Sequence, residues 1–202
     1  MAEKVKYNKT ALKAQRDAKG KYEKFLPILQ LKKMQLQIVL RQLEPMIEEK
    51  RRMLKAVADG TQAWSRYLTD PAVDVHDYLE IQEVAVHMDN IAGVEVPEFK
   101  EVLYKDRPYS LFSTPSWLDT AVVILRRLVA LREELRLLLQ KENLIREELR
   151  VTTQRCNLFE KKLIPEIKEN IRRIKIFLGD EETAAVGRAK LAKQKIQESE
   201  AR

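Results

Sequence analysis

The chain has 202 residues, of which 34% are charged and only 6% aromatic, and its formal net charge is +7. This composition argues against a large globular core and is typical of long helices or coiled coils. No apolar run approaches the ~18 residues of a membrane span, and the charged start MAEKVKYNK is unlike a signal peptide. We therefore expect a soluble cytoplasmic protein without direct membrane insertion.

Both ends of the sequence are basic, over residues 1–24 and 186–202. Basic ends are compatible with nucleic-acid binding or with solvated helix faces. They lack the interleaved aromatic residues of a single-strand binder and any zinc-finger signature. We favour solvated faces and predict no nucleic-acid partner.

A heptad pattern predicts one long helix from Lys4 to about Tyr67. Two interlocking seven-residue series carry it: Tyr22, Leu29, Leu36, Leu43, Lys50 and Val57, and Leu26, Lys33, Leu40, Ile47 and Leu54. Because the heptad phase continues across Pro27 and Pro45, we expect these prolines to kink the helix without ending it. Four further apolar residues widen the stripe and suggest a second partner surface: Ile28, Met34, Ile38 and Met46.

Residues 81–104 are predicted to form a β-hairpin. Apolar residues alternate with others from Ile81 to Met88, and the segment 89–93 supplies turn residues. Pro97 requires an edge position or a bulge. Farther along, Thr114 is a predicted helix cap with Pro115 in the first turn.

The last long helix carries a stripe of residues spaced by three and four. Its members are Leu149, Thr152, Cys156, Phe159, Leu163, Ile167, Ile171, Ile174 and Leu178. Cys156, the single cysteine, is interpreted as a small core residue rather than a reactive thiol. Pro165 lies within this helix, where a proline costs about 3 kcal/mol relative to alanine, so we expect a kink there.

The predicted fold class is mainly α, with two very long helices in an antiparallel coiled coil and a short middle segment containing the β-hairpin. Residues 1–68 and 114–202 form the coiled-coil shaft, and residues 69–113 form the middle segment. We expect Tyr22 to lie near Phe177. In that register Leu29 approaches Ile174, Leu43 approaches Leu163, and Pro45 lies opposite Pro165.

The sequence indicates no catalytic chemistry. It has no G-x-x-x-x-G-K-[ST] loop for phosphates. His76 and His87 are eleven residues apart without a nearby cysteine, which is unlike a metal site. We therefore predict no catalytic, cofactor-binding or metal-binding residue, and no cofactor.

The region 149–182 resembles the carboxy-terminal signature of the D subunits of the V-type ATPases and ATP synthases. The matching motifs are TTQR (152–155), NLFEK (157–161), LIP (163–165), IRRI (171–174) and IFLGDEE (176–182). A shorter match is IAGVEVP (91–97). Cys156 departs from the pattern, because an aliphatic residue is expected at its position.

The resemblance implies a non-catalytic subunit, the central rotor shaft, which couples ATP hydrolysis or synthesis in the catalytic head to rotation of the membrane ring. The implied partners are the catalytic-head A and B subunits, the central-stalk F subunit, and the funnel-shaped subunit above the ring. The protein would then be cytoplasmic and peripheral to the membrane. The alternative is a cytoplasmic coiled-coil scaffold or tether without a motor role.

Overall fold

The computed structural model of the protein describes residues 6–62, 64–69, 75–108 and 114–200. Helices dominate, and the strands form one antiparallel hairpin, which confirms the predicted fold class. The elements in chain order are helix α1 (Lys9–Gln62), two 3₁₀ helices (Ser65–Thr69 and Val75–Tyr78), strands β1 (Ile81–Ile91) and β2 (Val94–Tyr104), helix α2 (Leu118–Leu158), a π-helical turn (Phe159–Leu163) and helix α3 (Ile164–Glu200).

Helix α1 begins later than the heptad pattern predicts. The side chain of Asn8 caps it, because Asn8 Oδ1 accepts a hydrogen bond from the Ala11 N–H at 2.6 Å. The predicted start at Lys4 lies outside the described residues. Helix α1 runs without interruption through Pro27 and Pro45, as expected, and ends at Gln62, before the predicted Tyr67.

The contacts divide the chain into two units. One, here called the terminal unit, groups Met1–Leu31 with Thr152–Arg202, and the other, the middle unit, comprises Lys32–Val151. Each contains an antiparallel pairing between a part of α1 and a later helix. The two units are described separately below.

In the terminal unit, two ring contacts define the pairing. Tyr7 packs against Phe177 with ring centroids 5.3 Å apart, and Tyr22 packs edge-on against Phe159 at 5.0 Å. The predicted register is therefore wrong, since Phe177 lies against Tyr7 and not near Tyr22. The error arose because an apolar stripe that repeats every seven residues fits its partner stripe about equally well after a slide by whole heptads.

Contacts in the middle unit also contradict the predicted register of the two long helices. Leu43 belongs to a buried cluster with Ile145, and not with Leu163. Two ion pairs join α1 to α2: Lys32 Nζ lies 2.6 Å from Glu148 Oε1, and Lys50 Nζ lies 2.8 Å from Glu134 Oε1. Because Lys50 lies at the level of Glu134, Pro45 is not opposite Pro165.

The core of the middle unit joins both helices to the hairpin. Its buried residues are Leu36, Leu43, Ile47, Val96 and Ile145. Leu36, Val96 and Ile145 are fully buried. The hairpin therefore contributes a side chain from β2 to the centre of this core.

The predicted hairpin is confirmed, with Ile91 paired with Val94 and Ile81 paired with Tyr104. Its turn is the pair Ala92–Gly93, both with positive φ (53° and 79°), as a two-residue type I′ turn requires. Asn90 Oδ1 stabilises the turn by accepting a hydrogen bond from the Gly93 N–H at 2.9 Å. Pro97 pairs with Met88 in this two-stranded sheet, and the ladder irregularities lie elsewhere.

Helix α2 begins at Leu118, three residues after Pro115. Leu118 and Val122 form a second buried cluster with Val75 of the preceding 3₁₀ helix. Helix α2 therefore starts at the buried Leu118, and not at the predicted cap Thr114 with Pro115 in the first turn.

The π-helical turn directly precedes Pro165. The Ile164 N–H donates to the Phe159 carbonyl, five residues back, so this turn holds more residues than an α-helical turn. A wider turn relieves the crowding of the proline ring against the Lys161 carbonyl. The turn also changes which side chains are buried: Ile164 is 8% exposed, whereas Leu163 is only half-buried. The sequence pattern placed Leu163 in the stripe and missed Ile164.

Candidate functional surfaces

The two histidines and the cysteine lie in three different elements. His76 is in the second 3₁₀ helix, His87 is in β1 opposite Glu98, and Cys156 is buried within α2. In the parts of the chain that the structure describes, no group of three or more metal-ligating side chains comes together. Within the same residues, no helix is both long and apolar enough to cross a bilayer. The features described next are exposed apolar surfaces and clusters of polar side chains.

The first candidate is a row of exposed apolar side chains on α1 in the middle unit, here called the methionine face. Its members are Met34, Ile38, Met46 and Met53, all between 41% and 54% exposed. Met34 and Ile38 lie two residues on either side of the buried Leu36, on the opposite side of the helix, whereas Met46 is three residues from Leu43 and lines the same cavity. Flexible methionine side chains adapt to a partner surface, and a row of this size on a helix is typical of an interaction site. The sequence indicated this surface, because three of the four residues widened the heptad stripe.

The second candidate is the hairpin. Val96 fixes one side of it in the core, while Met88 on the other side is 55% exposed. Met88 is exposed although its cross-strand partner Pro97 is buried, so only part of this side of the hairpin is accessible.

A third feature is a polar junction between the open end of the hairpin and the start of α2. The Arg126 guanidinium donates from Nε and Nη2 to the Tyr78 carbonyl, at 3.2 and 3.1 Å. The Tyr104 hydroxyl donates to the Arg126 carbonyl at 2.7 Å, and the Arg126 guanidinium lies 4.8 Å from the Tyr104 ring centroid. Burial raises the pKa of Tyr104, with Arg126 acting in the opposite direction. The junction orients the hairpin, and no sequence pattern pointed to it.

The terminal unit carries a cluster of charged side chains on α3. Glu169 accepts hydrogen bonds from Arg172 and Arg173, each in the 2.9–3.0 Å range. These bonds, that from Arg172 first, lower the pKa of Glu169 to about 2. This cluster lies on the solvent side of α3, where it favours the helix locally.

A pH dependence follows from the lowered pKa of Glu169. Because the pKa is lower in the folded state than the ordinary 4.5, the stabilising contribution is present above pH 4.5 and is lost as the pH falls toward 2. We expect Glu169→Gln to lower the denaturation midpoint slightly at neutral pH and to have no effect near pH 2. The side-chain carboxyl shift of Glu169, followed by NMR through an acid titration, checks the pKa directly.

The matched control is Glu166→Gln, which removes a carboxylate from the same helix. The described residues provide no ion-pair partner for Glu166. Equal effects of the two substitutions at neutral pH would contradict the assignment of the effect to the arginine contacts.

Comparisons of the sequence with known proteins found a matching family model and several relatives. The family model of the ATP synthase D subunit matches residues 11–194. A V-type ATP synthase D subunit of Borreliella burgdorferi is 35% identical over 96% of this chain and 95% of its own length. Proteins of the same name from Chlamydia caviae and Chlamydia pneumoniae are 34% and 33% identical, over 98% and 100% of this chain and 96% and 98% of their own lengths.

Proposed function

This chain belongs to the family of ATP synthase D subunits, and from that membership we propose that it is the central rotor shaft of a V-type rotary ATPase or ATP synthase. In this role it couples ATP hydrolysis or synthesis in the catalytic head to rotation of the membrane ion-translocating ring. The observation that carries the proposal is the family match over residues 11–194, which includes both helix pairings and the hairpin. The protein acts as part of a multi-subunit complex.

The role proposed for the chain is mechanical and non-catalytic. The terminal unit enters the catalytic head formed by the A and B subunits, where different sides of the helix pair meet the catalytic sites in turn. Its charged solvent side and its aromatic contacts, Tyr7 with Phe177 and Tyr22 with Phe159, support this role, because ring contacts resist sliding of the two helices. The shaft lies on the cytoplasmic side, peripheral to the membrane.

The middle unit binds the remaining stalk partners. We assign the methionine face to the small F subunit, because an exposed apolar row flanked by polar residues has the composition of a protein interface. The funnel-shaped subunit above the ring is assigned to the region of the 3₁₀ helices and the start of α2. There Val123 is 68% exposed beside the buried Val122.

A cytoplasmic scaffold remains the alternative class of function. A scaffold that dimerises as a parallel coiled coil would pair identical helices of two chains. Here Lys32 pairs with Glu148 and Lys50 with Glu134 of the same chain, in antiparallel order. The folded-back pairing and the family match both favour the shaft.

The proposal predicts that the tagged chain co-purifies with the catalytic-head subunits and the F subunit. The double variant Ile38→Asp, Met46→Asp should lower the affinity for the F subunit by about a hundredfold, since two apolar anchors of the interface are lost. The control is Val123→Asp, which introduces one aspartate, half the charge of the double variant, at another exposed apolar position of the middle unit. Affinities are measured by isothermal titration calorimetry with the purified F subunit.

Two outcomes would contradict the proposal at different levels. Loss of F-subunit binding by the control, with none by the double variant, would move the interface away from the methionine face. Failure of the wild-type chain to assemble with any rotary-ATPase subunit would refute the shaft role itself.

A further inference from the structure

The hairpin is fixed to the helix pair of the middle unit at three levels. Its turn lies beside Lys32, whose ion pair with α2 joins the two helices: a Cβ added at Gly93 would lie 3.8 Å from Lys32 Nζ. At its centre, Val96 is fully buried in a cluster that contains residues of both helices. At its open end, the Tyr104 hydroxyl donates to the Arg126 carbonyl of α2 at 2.7 Å. The helices therefore hold the middle and both ends of the hairpin.

The spacing of these contacts indicates that the hairpin lies along the helices. In α1, Lys32 precedes Lys50 by 18 residues, and Lys50 pairs with Glu134, which follows Arg126 by eight residues in α2. At ~1.5 Å per residue, the contacts at the turn and at the open end are about 39 Å apart along the helix pair. Strand β2 has 11 residues, which extend over about 36 Å at ~3.3 Å per residue. Because the two lengths nearly match, the strand runs nearly parallel to the helices and is close to full extension.

An extended strand that is held at both ends opposes bending of the helix pair. Long helices are rarely straight, and curvature lengthens one side of a helix pair while it shortens the other. A strand close to full extension cannot lengthen appreciably, because each residue reaches at most about 3.3–3.6 Å. Curvature that would lengthen the hairpin side of the pair is therefore resisted for as long as both ends of the hairpin are held.

We propose that the hairpin is a strap that stiffens the helix pair of the middle unit against bending, and that the contact of Tyr104 with Arg126 fastens its open end. The inference goes beyond the proposed function, because it concerns a mechanical property of the chain itself. In a rotor shaft, such a strap keeps the two ends of the middle unit on one axis, so that rotation at one end is followed more closely at the other.

The test releases the open end of the strap and leaves its centre in the core. The variant Tyr104→Phe, Arg126→Gln removes the hydroxyl donor and also the guanidinium that bonds to the Tyr78 carbonyl. Amides of the hairpin near Tyr104 should then exchange their hydrogens about fivefold faster or more, the effect of losing one hydrogen bond. Exchange is measured by mass spectrometry on the full chain and shows that the fastening is released.

Bending is measured in the same full chain by pulsed electron paramagnetic resonance. Spin labels are attached to cysteines that replace Gln37 of α1 and Val123 of α2, both of which are exposed, after replacement of the native Cys156 by alanine. These positions lie near opposite ends of the strap. We expect a broader distribution of label-to-label distances when the open end is released than when it is fastened.

The matched control is Lys105→Gln, which removes one positive charge at the same end of the hairpin. Lys105 Nζ donates to the Glu80 carboxylate at 3.1 and 3.3 Å, so its ion pair joins the two ends of the hairpin to each other and not to α2. Equal broadening by the control would overturn the proposal. So would an unchanged distance distribution in the released variant, or an unchanged rate of amide exchange there.

A further variant keeps the test decisive if the double variant does not unfold cooperatively by circular dichroism. Tyr104→Phe alone removes a single hydroxyl and retains the ring, and the same broadening is expected in a smaller amount. Assembly with rotary-ATPase subunits is not needed for either measurement. Broadening in a chain that does not assemble would support the strap and refute the shaft, whereas assembly without broadening would refute the strap alone.

Discussion

Deleting Lys161 from a Pro165→Ala variant is expected to leave the terminal unit folded and at least as stable as Pro165→Ala alone. Deleting Lys168 from the same background is expected to lower the free energy of unfolding by about 4 kcal/mol or more. Both residues are exposed lysines on the same helical segment. The opposite results follow from the π-helical turn at Phe159–Leu163.

Each residue of an α-helix advances the side-chain direction by about 100°. The π-helical turn contains one residue more than an α-helical turn would, and this extra residue brings Ile164, Ile167 and Ile174 to the side of the helix that is buried. Removing Lys161 from within the turn allows a continuous α-helix that keeps these isoleucines buried. If the π-helical turn is kept, removing Lys168 turns Ile174 away from its buried position. If the π-helical turn is lost instead, the deletion turns Ile164 and Ile167 away from theirs.

Chemical denaturation followed by circular dichroism measures both deletions, with Pro165→Ala alone as the reference. In that reference we expect little change, because the turn persists to keep the isoleucines in place. This corrects the simple expectation that removing a mid-helix proline recovers about 3 kcal/mol. Equal destabilisation by the two deletions would show that the π-helical turn does not set the phase of α3.

Replacing Leu36 with alanine is expected to lower the free energy of unfolding of the middle unit by about 3–5 kcal/mol. Leu36 is fully buried among Leu43, Val96 and Ile145, which come from both helices and the hairpin. Loss of its side chain removes contacts with three elements at once and leaves a cavity. We also expect the hairpin amides near Val96 to lose protection from hydrogen exchange.

The control for Leu36→Ala is Ile38→Ala, two residues along the same helix. Ile38 is 54% exposed on the methionine face, so its truncation should change stability by less than about 0.5 kcal/mol. Denaturant titration of both variants gives the comparison. A similar loss of stability for both would mean that the core does not centre on Leu36.

The same cluster determines how a hairpin deletion should be interpreted. Removing residues 81–104 would remove Val96 from the core along with the exposed Met88. The resulting loss of coupling would then mix destabilisation of the middle unit with loss of a contact.

Local patterns predicted the hairpin well, because strand alternation and turn residues are encoded over a few neighbouring positions. Both strand ends, Ile81 and Tyr104, agree with the sequence analysis. The methionine face was also visible as a widened heptad stripe. The family signature in 149–182 identified the chain before any contact was known, since it depends on residue identity rather than on geometry.

The helix register could not be predicted from the apolar stripes, since it is fixed by contacts between residues far apart in sequence. Tyr22 could pack against any aromatic residue on the apolar stripe of the later helix, and nothing in the sequence identifies Phe159 as its partner. The burial of Ile164 depends on the π-helical turn, which has no simple signature beyond the nearby proline.

Lys50 weakens the apolar seam, yet it opposes slippage of one helix along the other under axial load. A slide by one heptad, about 10.5 Å, would move Lys50 from Glu134 to the level of Arg127 or Lys141. In the same way, Lys32 would leave Glu148 for the level of Lys141 in one direction. Each of these displaced positions sets two cations against each other. The helix pair of the middle unit can therefore be pulled or twisted without settling into the neighbouring register.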